Sequence, residues 1–212
     1  MPHGTTRRQV LLGIGGLLIT SPTVALQALL PTPRGPAGPF YPNRPPADDD
    51  SDLTRVSGRP RTASGEHTEL SGRLLDRNGN AIAGGRLEIW QCDANGRYHH
   101  PRDSGGPLDL NFQGFGHTVT DDAGRYRFRT IKPVPYPGRT PHIHMAVWAP
   151  GRRAFVTQLY VRGEPRNSRD FLFRRIPVES RERAMAAFRR VTGETLTYRA
   201  EFDVVLDVTP IA

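Results

Sequence analysis

Three short turn sequences constrain this chain most: DRNGN at residues 76–80, DANG at 93–96 and DDAG at 121–124. Each gathers Asp, Asn and Gly, which bond to their own backbone or tolerate positive φ, so each can reverse the chain within a few residues. Around them ELSGRLLD, RLEIWQCD, RYRFRT, HIHMAVWA, FVTQLYV and TYRAEFDVVLDV alternate or run apolar for five to ten residues. That length and period suit strands. The spacing predicts an all-β sandwich of mainly antiparallel strands over residues 68–212. One helix is expected to interrupt it between residues 178 and 191, where Ala184, Ala187, Phe188 and Val191 recur at helical spacing and Gly193 follows as a stop signal. No internal repeat or linker divides this body, and 212 residues suffice for one domain with a proper core.

Two segments precede the body. Residues 1–30 carry Arg7 and Arg8 before the apolar run VLLGIGGLLI, which is too short for a membrane span and is followed by small residues and Pro. This reads as a signal peptide, and the paired arginines resemble a twin-arginine export signal, with cleavage expected near Ala25 or Ala28. The expectation is therefore a periplasmic or extracellular protein handled by the twin-arginine machinery, with no stable membrane insertion. Residues 31–67, rich in Pro, Gly, Arg and Asp, read as an extended arm. The net charge of +8 comes almost wholly from scattered arginines, Lys132 being the only lysine, so a solvated surface is expected and no nucleic-acid partner. Cys92 is the only cysteine, which excludes an internal disulfide.

The densest chemistry lies in YPGRTPHIH, residues 136–144. Residues two apart on a strand share a face, so His142 and His144 offer two imidazoles to one point. Tyr136 lies six residues before His142 on a Pro-broken loop, and Tyr98 closes the turn of WQCDANGRYHH. Two phenols and two imidazoles suit a hard, highly charged ion such as ferric iron, because anionic oxygen donors offset its charge.

With these residues assembled, WQCDANGRY, DDAGRYRFRTIKPVPYP, RTPHIH, TQLY and GPFYP together resemble the signature of the intradiol ring-cleavage dioxygenases, over roughly residues 38–162. The resemblance implies a non-haem Fe(III) held by Tyr98, Tyr136, His142 and His144 with a hydroxide. It also implies a small aromatic diol and O2 as substrates, and a cis,cis-muconate-type diacid as product. Tyr136 would leave the metal and help deprotonate the diol. Arg139 would stabilise negative charge on the ring, Gln158 would hold Arg139, and Gly38 and Pro39 would line the substrate cavity. An alternative for the last two is a structural pin for the arm. This chain departs from the studied members in having only Pro137 and Gly138 between Tyr136 and Arg139, which implies a shortened lid. Catechol, protocatechuate, hydroxyquinol and lignin-derived diols all remain candidate substrates, and a homo-oligomer is compatible with the reading.

Other features are set aside on physical grounds. His99 and His100 are adjacent, so they cannot both face one site. His117 reads as core or cavity wall. Cys92 lacks the His partner of a nucleophile. The run at residues 48–52 lacks the spaced ligands and glycine of an EF-hand. Two other readings stand beside the dioxygenase. A transthyretin-like or carboxypeptidase-regulatory sandwich would be a binding module without metal chemistry. A cupin-type His-x-His enzyme would need a nearby carboxylate, which the sequence does not show.

Overall fold

A computed structural model describes Met1 and residues 28–149, 154–192 and 195–207. The export-signal expectation therefore falls almost entirely outside the described residues, as does Gly193. Among the described residues no helix is long and apolar enough to cross a membrane.

Among the described residues ten strands form two five-stranded sheets, in keeping with the expected sandwich. They are β1 (His67–Leu75), β2 (Arg86–Trp90), β3 (Phe115–Val119), β4 (Arg125–Ile131), β5 (His142–Trp148), β6 (Phe155–Val161), β7 (Met185–Ala186), β8 (Phe188–Arg190), β9 (Tyr198–Glu201) and β10 (Val204–Val205). One sheet centres on β1, paired with β4 antiparallel and with β9 and β10 parallel, and β8 adds to β9. The other runs β3-β2-β5-β6-β7, antiparallel except for the last pair. Leu70, Leu74, Leu87, Ile89, Phe128, Ile143, Met145 and Leu159 are all fully buried in the shared core.

The second sheet is covered on both faces, which explains why β5 carries no exposed residue. Its inner side chains, Ile143, Met145 and Val147, enter the core, while the alternate set begins with His142 and His144 on the outer face. The arm covers that outer face. Gly35 N–H donates to Val156 O at 2.9 Å, Thr157 Oγ1 donates to Pro33 O at 2.7 Å, and Gln158 Nε2 donates to Pro36 O at 2.9 Å. Farther along, the Tyr41 hydroxyl donates to Glu88 Oε2 at 2.8 Å. An outer face that would otherwise meet water becomes a second interior, and polar side chains can be held there.

The expected helix takes a different form. Only Val178–Ala184 is helical, as the third of three short 3-10 turns after Pro165–Arg169 and Phe173–Arg175. From residue 185 the chain is extended, with Tyr160 paired to Met185, Val161 to Ala186 and Phe188 to Ala200. Ala184, Ala186 and Phe188 also satisfy a period of two, and hydrogen bonding to the existing sheet edges decides between the two readings.

Candidate active site

The local folding of four separated segments brings the site together. Tyr98 is presented by the DANG turn, in which Asp93 Oδ1 accepts from the backbone N–H of Asn95 and Arg97 at 2.9 and 3.0 Å. Asp103 Oδ2 then accepts from Tyr98 N–H at 2.8 Å. Gly96, at φ +78°, lets this turn approach the second tyrosine, since a Cβ there would stand 3.0 Å from Pro135 O and 3.6 Å from Tyr136 Cβ.

The YPGR sequence makes a tight turn. Pro137 and Gly138 are its central residues, Gly138 takes φ +78°, and Arg139 N–H donates to Tyr136 O at 2.9 Å. The two intervening residues noted in the sequence are thus enough to set Tyr136 and Arg139 side by side. Arg139 Nη1 lies 3.3 Å from the Tyr136 hydroxyl.

Strand register supplies the rest. Trp90, His144 and Gln158 lie opposite one another across β2, β5 and β6, as do His142 and Tyr160. The two imidazoles meet with Nε2 atoms 3.1 Å apart, and His144 stacks on Trp90 at 4.9 Å between ring centroids with planes 7° apart. Tyr136 lies 5.5 Å from His142, Tyr98 lies 6.1 Å from His144, and the two tyrosine rings are 5.3 Å apart edge to face. Phe40, from the arm, stacks on Tyr98 at 4.7 Å. The four residues expected to share a metal therefore cluster together, with all but Tyr136 fully buried.

The donors there suit a cation. His142 Nδ1–H donates to Thr140 O at 2.7 Å, which leaves the Nε2 lone pair facing inward. Burial, followed by nearby Arg139, pushes His142 down to about 4. Burial, then His142 and Arg139, holds His144 well below its usual value, so both imidazoles are neutral. The Tyr98 hydroxyl is buried without a hydrogen-bond partner, as is His144 Nδ1. Burial raises the Tyr98 phenol, and the Tyr136 phenol raises it further while standing outside hydrogen-bond geometry. Burial also raises Tyr136, against the opposing pull of Arg139. The two Nε2 atoms, 3.1 Å apart, are close enough for both lone pairs to be offered to one cation. Among the described residues, no cluster of three or more His, Cys, Asp or Glu offers a different donor set.

Arg139 is enclosed and tied on three sides. Its Nε donates to Asp170 Oδ2 at 2.8 Å, and its Nη2 donates to Gln158 Oε1 at 2.7 Å, an oxygen that also accepts from the Tyr160 hydroxyl at 2.7 Å. The ring of Phe171 lies 5.5 Å from its guanidinium carbon. Gly38 passes directly over the His144 imidazole, since a Cβ there would stand 3.3 Å from His144 Cε1, and Pro39 follows it on the exposed side.

The remaining candidates have structural partners elsewhere. His99 Nε2 meets Asp109 O at 3.0 Å, and His117 Nδ1 meets Asp49 O at 2.7 Å. His100 is buried 5.8 Å from Phe40, with its Nδ1 accepting from Arg102 N–H at 3.1 Å and its Nε2 without a partner. Cys92 is buried, and its thiol is pushed up to about 12 by burial and then Asp93, so it stays protonated. Sequence reasoning missed Asp170, Tyr160, Trp90 and Phe40. The register of β2, β5 and β6 would have flagged Trp90 and Tyr160 once His144 was chosen, but no spacing rule points to Asp170.

With the geometry established, comparison with known proteins is decisive. Residues 37–208 match the family described as Dioxygenase. The chain belongs to the intradiol ring-cleavage dioxygenases. It is similar to the protocatechuate 3,4-dioxygenase beta chain of Burkholderia cepacia, with 40% identity over 76% of this chain and 74% of that one. Similarity to the hydroxyquinol 1,2-dioxygenase of Nocardioides simplex is 32% over 68% of this chain and 55% of that one, so the chain spans little more than half of that relative. Among solved structures, the dioxygenase domain of a dioxygenase carbohydrate-binding protein fusion from Streptomyces sp. SirexAA-E superposes with a TM-score of 0.65 at 32% identity, covering 84% of this chain and 99% of that one. An intradiol dioxygenase family member is an oxidoreductase, and the family depends on non-haem iron. The non-enzymatic sandwich module is not favoured.

Proposed function

We propose that this chain is a non-haem Fe(III) dioxygenase that opens a catechol-type ring between its two hydroxyls, adding both atoms of O2 to give a cis,cis-muconate-type diacid. The observation that carries this reading is the convergence of His142 Nε2 and His144 Nε2, 3.1 Å apart, with the rings of Tyr98 and Tyr136 beside them. Those four side chains would hold the iron, which would supply the Lewis acidity that draws in a diol as its dianion and readies it for oxygen.

The protein's own groups account for the remaining requirements. Tyr136 is half-buried with its hydroxyl 3.3 Å from Arg139 Nη1, and its phenolate would serve as the base for a diol proton. Arg139 cannot lose its charge, so it stabilises the negative charge that builds on the ring carbons. Gln158 and Tyr160 keep the guanidinium facing that position. Phe40 and Trp90 exclude water, and Gly38 and Pro39 form the arm-side wall of the diol cavity. We further propose that the enzyme is exported through the twin-arginine route already loaded with metal, since that route carries folded proteins.

The test is the visible spectrum of the iron-loaded protein with and without catechol, together with oxygen uptake on a panel of diols. A broad charge-transfer band that shifts on diol addition is expected, and Tyr98→Phe and Tyr136→Phe should each weaken it. A protein that stays colourless after iron reconstitution would overturn the reading.

A further inference from the structure

Asp170 lies far from the ligand segments in sequence, in the turn that follows the Pro165–Arg169 helix. Its side chain is wholly buried, and that of Arg139 is only 8% exposed. The two carboxylate oxygens do different work. Oδ1 accepts from the backbone N–H of Leu172 and Phe173 at 3.0 and 2.8 Å, which shapes its own turn. Oδ2 accepts from Arg139 Nε at 2.8 Å and from Thr140 N–H at 3.0 Å, two groups in the segment between Tyr136 and His142. Thr140 is further tied by its hydroxyl, which donates to Asn167 Oδ1 at 2.8 Å.

We infer that Asp170 is a positioning residue, whose Oδ2 fixes the guanidinium of Arg139 in the orientation that ring cleavage requires. The inference rests on the function proposed above. Gln158 restrains only Nη2, and the contact from Nη1 to Tyr136 is 3.3 Å. Restrained at one nitrogen, a guanidinium can swing about that contact. Restrained at a second nitrogen, Nε, by a separate element of the fold, it cannot. The Asp170 pair thus fixes the tilt of Arg139 and leaves Nη1 directed at the Tyr136 hydroxyl, where a diol proton would be taken up. The same turn places Phe171 against the guanidinium, 5.5 Å from its carbon, so Arg139 is held both in its plane and against its face.

The carboxylate is suited to this task at working pH. Burial alone would raise it, but hydrogen bonds from Arg139, Phe173 and Thr140 outweigh burial and keep it below the usual carboxylate range. Asp170→Asn preserves shape but cannot satisfy all four donors, because its amide nitrogen must face one of the two N–H pairs.

The experiment is a double-mutant cycle on the full-length, iron-loaded enzyme with Asp170→Asn, Arg139→Met and the double variant. It is read by single-turnover ring cleavage, by kcat and KM separately, and by urea unfolding. A positioning role predicts that Asp170→Asn lowers the cleavage rate roughly ten- to hundredfold with KM moving less than threefold, since misplacement of about 1 Å costs on this order. In the Arg139→Met background the same change should cost less than twofold. Asp170→Glu, which keeps the charge, should fall between wild type and Asp170→Asn. Equal rate losses in both backgrounds, or no loss in wild type, would overturn the proposal and leave Asp170 a fold residue. Stability effects that simply add would overturn the Asp170–Arg139 clamp itself. A wild-type enzyme that cleaves no diol would overturn the function beneath it, and the unfolding cycle distinguishes that failure from failure of the clamp.

Discussion

Gly38→Ala offers a sharp test of how the arm meets the site, because Gly58 provides an internal control. Both glycines have nearly the same positive φ, +74° at Gly38 and +76° at Gly58. A side chain in that region costs roughly 1–2 kcal/mol, partly offset by the entropy an alanine removes from the unfolded chain. Alanine at 58 meets nothing within 4 Å, so it should show the backbone cost alone. For a domain of this size that is a fall in Tm of about 2–4 °C per kcal/mol. Alanine at 38 would also place its Cβ 3.3 Å from His144 Cε1. The arm cannot simply lift away, because Gly35, Pro36 and Tyr41 are hydrogen-bonded to the sheet on either side. His144 has little room to retreat, being buried and stacked on Trp90. Overpacking of this kind costs about 1–3 kcal/mol. Gly38→Ala should therefore lose more Tm than Gly58→Ala, and in the iron-loaded protein only Gly38→Ala should shift the visible band. Equal Tm losses with identical spectra would refute the placement of the arm over the imidazole.

Two other outcomes follow from the same packing. His142 drops from 6.5 to about 4 on folding because of burial and then Arg139, so between those values the unfolded chain binds the extra proton. Stability of the metal-free protein should then fall as pH drops from 7 to 4.5, by about 2–3 kcal/mol from this group, with His144 acting in the same direction. Urea midpoints at the two pH values measure this, and unchanged midpoints would show that the imidazoles are not buried neutral. Gly72→Ala would drive a Cβ to 2.1 Å from Phe202 O and 2.9 Å from the Tyr126 hydroxyl, where β1, β4 and the β9–β10 connection meet. A loss of more than about 3 kcal/mol is expected, read as a lower urea midpoint or failure to express in soluble form.

The strands and turns were legible because strand period, turn chemistry and length are local properties of a few consecutive residues. His142 and His144 were legible for the same reason, since a spacing of two determines a shared face wherever the strand ends up. The segment at 184–188 was not, because its apolar residues satisfy both periods and only pairing with Tyr160, Val161 and Ala200 selects the extended form.

By itself, then, the sequence determined the β-rich body, the shared face of His142 and His144 on β5, and the two-residue spacing between Tyr136 and Arg139. Its resemblance to a family singled out Gln158 and gave Tyr98 its expected role. Tertiary structure alone decided what surrounds them. The arm crosses β6 and seals the outer sheet face, Trp90 falls opposite His144 by register, and Asp170 reaches Arg139 from 31 residues away. Such contacts depend on how separate elements stack and on the burial that makes an unpartnered charge costly, and no local period encodes either.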